Sequence, residues 1–161
     1  MPNTTSPANK VKQLSVGSCK LLSLREITDE RGSLAIVEGS KDIPFEVRRV
    51  YYLYGARENT VRGGHAHKEL QQLFVAIRGS FDVVLDDGHR KMNIRLESPS
   101  QGLYICPMIW RELANFRPGS ICLVLASTLY DEGDYFRSYE DFLASVRKGG
   151  ASPNIEWPKH E

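Results

Sequence analysis

No stretch of this chain stays apolar for long. The longest runs, such as ICLVLA at 121–126, stop far short of the ~20 residues that a membrane-spanning helix requires. The opening MPNTTSPANK has no apolar segment of the kind that directs secretion. Cysteine is scarce. Cys19, Cys106 and Cys122 are odd in number and show no Cys-x-x-Cys spacing, which argues against a disulfide framework and against structural zinc. An excess of charge of one sign is missing too. With 21 Lys and Arg against 20 Asp and Glu, the formal net charge is +1, so nothing draws the whole chain toward nucleic acid or an anionic membrane. An anionic ligand would have to be met by a local group of arginines or lysines. A reduced, cytoplasmic protein with neither nucleic acid nor membrane as partner is the expectation.

What is present is short strands. A hydrophobic content of 41% in 161 residues fits one globular domain. VKQLSV, CKLLSL, GSLAIVEG, FEVRRVYYLYG, LQQLFVAIRGSFDVVLDDG, KMNIRLE, GLYICP, WRELANF and SICLVLAS follow one another between Gly, Pro, Asp, Asn and Ser. Asp87-Gly88 marks a hairpin, because Gly accepts the positive φ that a tight turn needs. ICLVLAS is apolar without clean alternation and reads as a strand covered on both faces. Only SYEDFLASVRKGG reads as a helix, with Ser138 as its cap, Asp141 three residues on, and Gly149-Gly150 as its stop. Many short strands in one domain must close on themselves, since open edges invite aggregation. The expected fold is all-β, a double-sheet jelly roll with a short C-terminal helix. Residues 1–18 read as a flexible arm, 19–150 as the barrel domain and 151–161 as a tail.

One segment carries chemistry. In RGGHAHKELQQLFVAIRG, Arg62 to Gly79, the histidines His65 and His67 are two apart, so on a strand they share a face. The spacing resembles the first motif of metal-binding cupins, G-x5-H-x-H-x3,4-E-x6-G. Gln72 stands where that motif has its carboxylate. The second motif is reduced to Gly102 and Pro107, with no histidine following. Two imidazoles and an amide make a poor divalent-metal site, because no anionic ligand offsets the ion's charge. Imidazoles without a metal are suited to proton transfer, since their ordinary pKa lies near ~6.5. The plainer alternative is a pair of interior histidines satisfied by backbone hydrogen bonds.

A larger pattern agrees with the chemical reading. VRGGHAHKELQQLFVAIRGSFDVVLDDG, preceded by RRVYYLYG and followed by PMIWREL and YDEGDYFRSYEDFL, resembles the dTDP-4-keto-6-deoxyglucose 3,4-ketoisomerases, the WxcM-like cupins. The likeness runs from about Ile27 to Leu143. It implies a cupin jelly roll, a homodimer with exchanged N-terminal strands, and no metal or organic cofactor. The implied substrate is a dTDP-linked 6-deoxy-4-keto hexose. The implied reaction moves its keto group from C4 to C3 on the way to deoxyamino sugars of surface glycans.

A 3,4-keto shift removes the proton on C3, passes through an enediol, and returns a proton to C4. It needs a base, a proton donor at the carbonyl oxygen, and something to steady an oxyanion. By the resemblance, His65 and His67 carry the protons, with His65 the choice as base. Tyr51 and Tyr52 face opposite ways along the strand, so only one can readily enter the cavity, and the family pattern favours Tyr51. Arg62, in R-x-x-H-x-H, is the first choice for the diphosphate, because guanidinium pairs with phosphate oxygens bidentately. Arg31, in the D-x-R-G-x-L turn, is the second. Gln72 is placed on a sugar hydroxyl, and Arg78 and Trp110 on the pocket wall. Three rival readings stay open: a metal-dependent cupin, a dTDP-sugar 3,5-epimerase, and a non-catalytic sugar-nucleotide-binding module.

Overall fold

The computed structural model describes residues 4–5 and 10–159. Strand is the dominant regular structure over this length. In chain order these are β1 (Thr4–Thr5), β2 (Lys10–Gln13), β3 (Lys20–Ser23), β4 (Arg25–Asp29), β5 (Gly32–Ile36), β6 (Arg49–Leu53) and β7 (Arg62–His67). They continue with β8 (Gln72–Arg78), β9 (Phe81–Asp86), β10 (Lys91–Leu96), β11 (Gln101–Ile105), β12 (Trp110–Ala114) and β13 (Ile121–Ala126). A single 3-10 turn at Glu132–Asp134 leads into β14 (Tyr135–Phe136), and α1 (Tyr139–Arg147) closes the order.

Two antiparallel sheets face each other. One has the order β10-β9-β12-β7-β14, the other β2-β3-β11-β8-β13-β6. Phe81, Val83, Leu85 and Leu113 of the first meet Phe74, Leu103, Ile105 and Val124 of the second in one buried cluster. Every second residue of a strand points to the same side, which is how these apolar sets come to face each other. A third sheet, β1-β4-β5, forms a separate hairpin with an added strand; Thr4 and Thr5 pair with Thr28 and Ile27.

The predicted helix is present. Ser138 Oγ accepts from the N–H of Asp141 at 3.2 Å, and Gly149, at φ +95°, ends it with its N–H on the Val146 carbonyl at 3.0 Å. Phe142 and Val146 bury against Trp110 and Ala66 on the outer face of the five-stranded sheet. β9 and β10 pair from Asp86–Lys91 to Phe81–Leu96, with Gly88 at φ +87° in the connection. β13 differs from the expectation. Cys122, Val124 and Ala126 are buried while Ile121, Leu123 and Leu125 are half-buried, so its outer face is only partly covered. The segment after α1 returns across β3 and β11, where Trp157 stacks edge-on against Tyr104.

Candidate active site

The glycine pair before the histidines shapes the site. Between β12 and β7, Arg111 is opposite His65 while Glu112 is opposite Gly63, so Gly64 is an extra residue in β7, a β-bulge. Gly63 lies at φ +86°, and a Cβ there would sit 2.8 Å from the Arg111 carbonyl oxygen. Only glycine allows β7 to approach β12 this closely. Beyond the bulge His65 and His67 resume strand geometry, their ring centroids 4.9 Å apart and edge to face.

A cavity of about 370 Å3 opens between the sheets at this end. Its walls include Tyr51, His65, Phe74, Arg111, Tyr135 and Arg137, with Arg49 and Arg62. His67 lies one layer deeper, 1% exposed, behind Tyr135, whose ring centroid is 4.3 Å from its own. Gln72 is also fully buried and links two lining residues. Its Nε2 donates to Tyr51 Oη at 2.7 Å, and its Oε1 accepts from Arg111 Nη1 at 2.5 Å.

Positive charge dominates this cavity. Of its four arginines, Arg137 is paired with Glu132 at 2.6 Å. Among the described residues Arg49, Arg62 and Arg111 enter no salt bridge. Arg111 is completely buried. Its Nε and Nη2 donate to the Ile109 carbonyl at 3.1 and 2.9 Å, which with Gln72 leaves two of its five N–H groups unused. A buried charge without a counter-ion costs several kcal/mol, and such a group on a cavity marks a candidate functional site.

That charge also sets the histidines. Burial, and after it the Arg111 guanidinium, lowers His65 to about 4 and pushes His67 far below its ordinary range. Both rings are therefore neutral at neutral pH. Among the described residues, buried His65 Nδ1 and His67 Nε2 have no hydrogen-bond partner, while His67 Nδ1 contacts Asp134 Oδ2 at 3.0 Å. Burial raises Tyr51, which stays a phenol. Among the described residues no three His, Cys, Asp or Glu side chains are grouped to hold a metal ion.

The cavity unites Tyr51, Arg62 and His65, with His67 and Gln72 behind its wall. Three other residues lie elsewhere. Arg31 is at the tip of the β4–β5 hairpin, held by Asp29 and with its side chain 83% exposed. Arg78 is exposed at the end of β8. Trp110 faces outward, onto a different hollow with Asp86, Glu112 and Tyr139, because neighbouring residues of a strand point to opposite faces and Arg111 takes the inner one. Arg111, Asp134, Tyr135, Arg49 and Arg137 are the additions. Arg111 and the Asp134-Tyr135 pair lie inside the matching segments PMIWREL and YDEGDYFRSYEDFL, and parity with Trp110 offered a signal for the former.

A two-sheet barrel holding neutral histidines beside unpaired arginines defines a cupin-type site for proton transfer on an anionic ligand. The family model "FdtA: WxcM-like, C-terminal" matches residues 17–147. The TDP-4-oxo-6-deoxy-alpha-D-glucose-3,4-oxoisomerase of Aneurinibacillus thermoaerophilus is 43% identical over 129 residues, 80% of this chain and 93% of that one. A crystal structure of a 3,4-ketoisomerase from Helicobacter canadensis, 44% identical, superposes with a TM-score of 0.80 over 81% of this chain and 98% of that one. QdtA, a sugar 3,4-ketoisomerase from Thermoanaerobacterium thermosaccharolyticum solved in complex with TDP, is 40% identical with a TM-score of 0.79, over 81% and 96% of the two chains. The chain belongs to the WxcM-like family of sugar-nucleotide 3,4-ketoisomerases, cupin-fold isomerases.

Proposed function

We propose that this protein converts dTDP-4-keto-6-deoxyglucose into a dTDP-3-keto-6-deoxyhexose. The observation that carries the reading is Arg111: a buried, unpaired guanidinium with N–H groups to spare, on the same cavity as an imidazole held neutral. A neutral base beside a fixed cation is what abstraction of a proton α to a carbonyl requires.

His65 takes the proton from C3, and the C–H electron pair becomes the C3–C4 double bond. Charge develops on the C4 oxygen, where Arg111 offsets it and Tyr51 supplies a proton. Tyr51 is free to do so because its oxygen already accepts from Gln72, leaving its own O–H unengaged. His65 then returns its proton to C4. The C3 hydroxyl becomes the ketone as its proton passes through His67 back to Tyr51, so protons and electrons balance. Arg62 and Arg49 meet the diphosphate as charge partners.

The active form in this reading is a homodimer with exchanged N-terminal strands, and residues 1–18, 19–150 and 151–161 divide as arm, barrel and tail, the arm's β2 pairing with β3 in the six-stranded sheet and its Leu14 and Val16 entering the core. Residues 1–3 and 6–9 of the arm lie outside the described residues. Support comes from the separate β1-β4-β5 sheet and from exposed Val50, Tyr52 and Tyr54 on and just after β6, apolar side chains that suit a second copy. Cytoplasmic residence accords with three free cysteines.

The test is incubation with dTDP-4-keto-6-deoxyglucose in deuterated water, followed by NMR of the product. A carbonyl at C3 with a new carbinol at C4 is expected. A carbonyl still at C4, with label at C3 or C5, would mean epimerisation and sink the proposal.

A further inference from the structure

Among the described residues only one ring nitrogen of His67 has a partner, and that partner is not in the cavity. Asp134 lies behind the ring, on the turn Glu132–Asp134 that Asp131 caps by accepting the Gly133 N–H at 2.9 Å. Its carboxylate is seated by the loop that follows β7. Oδ1 accepts the Glu69 N–H at 2.8 Å, and Oδ2 accepts the Leu70 N–H at 3.3 Å. The Asp134 carbonyl accepts the Lys68 N–H at 2.9 Å. A backbone N–H can only donate, so both carboxylate oxygens are acceptors here. His67 Nδ1, 3.0 Å from Oδ2, must therefore carry the proton. Nε2 is left as the lone-pair nitrogen, and it is the buried ring atom with no partner. Two cavity-lining rings pack on His67, those of His65 and Tyr135, with centroids 4.9 and 4.3 Å from its own.

We propose that Asp134 is the positioning residue of the proton relay, holding the His67 proton on Nδ1 so that Nε2 takes up the C3 hydroxyl proton. This rests on the ketoisomerase reading. The opposite tautomer would present an N–H where the reaction needs an acceptor, and the C3 hydroxyl would have nowhere to send its proton. Asp134 acts only through His67, since its carboxylate is taken up by His67 Nδ1 and by the Glu69 and Leu70 N–H groups.

The tautomer can be read without turnover, by long-range 1H–15N NMR of the full-length protein with dTDP bound. In the wild type, Nδ1 of His67 is expected to show the protonated signature and Nε2 the unprotonated one. In Asp134→Asn the amide N–H2 replaces Oδ2, and the two signatures should exchange. kcat should fall by roughly 100-fold or more, as a wrong tautomer does elsewhere, while KM and dTDP affinity stay within about threefold. Asp134→Glu, which keeps an acceptor, should keep the wild-type tautomer and recover part of kcat. A wild-type His67 protonated on Nε2, or an Asp134→Asn protein with exchanged tautomer and undiminished kcat, overturns the proposal. Asp134→Ala, which frees the ring without offering a donor, guards against misfolding of the amide variant: wild-type kcat in it is equally fatal. If the wild type fails to isomerise the sugar while the NMR signatures stand, the ketoisomerase reading falls, and the catalytic role of Asp134 falls with it.

Discussion

Gln72 hands its carbonyl to Arg111 and its amide N–H to Tyr51, at 2.5 and 2.7 Å. This side chain stands where metal-binding cupins resembling the chain carry a carboxylate. The amide leaves the Arg111 charge uncancelled and keeps the Tyr51 hydroxyl free to donate. Gln72→Glu is expected to pair with Arg111 and lower turnover by about 100-fold, the scale of losing one oxyanion partner. Thermal stability should be retained, since a lone buried charge gains a partner. Steady-state kinetics beside a thermal melt check both halves; unchanged turnover would remove Arg111 from the mechanism.

The histidines separate binding from chemistry. His65→Asn and His67→Asn should each lose about 10²–10⁴ in kcat, the range of general acid–base catalysis. Titration calorimetry should still find dTDP bound nearly as in the wild type. Loss of nucleotide binding in both variants would instead make the imidazoles ligand contacts.

Acidity offers a third check. His65 sits at about 4 against an ordinary value near ~6.5, and the base must be neutral to work. kcat/KM, which reports the free enzyme, should therefore stay flat as pH falls from about 7 to about 5 and decline only near 4. Stability has the same sign. The unfolded chain binds protons on these histidines below ~6.5, whereas the folded chain resists until the lowered values are reached. Their contribution is full above ~6.5; that of His65 is lost by about 4, while that of His67 goes on falling below it. Urea midpoints should drop over that window, and less steeply in His65→Asn.

At the bulge, Gly63→Ala places a Cβ 2.8 Å from the Arg111 carbonyl at φ +86°. A cost of about 1–3 kcal/mol in stability is expected. Arg111 and His65 face each other across this step, so kcat should fall more than dTDP affinity does. A variant as stable and active as the wild type would show that the strands can part without consequence.

Trp110 gives the contrasting case. It is 8% exposed and packs against Tyr139 and Phe142 on the outer face. Trp110→Ala should destabilise by about 3–5 kcal/mol. Below its lowered melting temperature, kcat should remain within roughly threefold of wild type. A selective loss of kcat would put the indole back in the pocket.

Period-two alternation set much of this protein without help from the fold. It put His65 and His67 on one face and Tyr51 opposite Tyr52, and it separated Trp110 from Arg111. Local chemistry likewise ended α1 between Ser138 and Gly149. Alternation, however, gives parity and not side: only closure of the two sheets decided that Arg111, not Trp110, looks inward. Long-range contact decided the rest. Asp134 meets His67 from 67 positions away, and the hairpin carrying Arg31 stands apart from the cavity because β4 and β5 pair with each other and not with the barrel. Burial did what spacing could not, holding two imidazoles neutral next to a guanidinium that no carboxylate among the described residues answers.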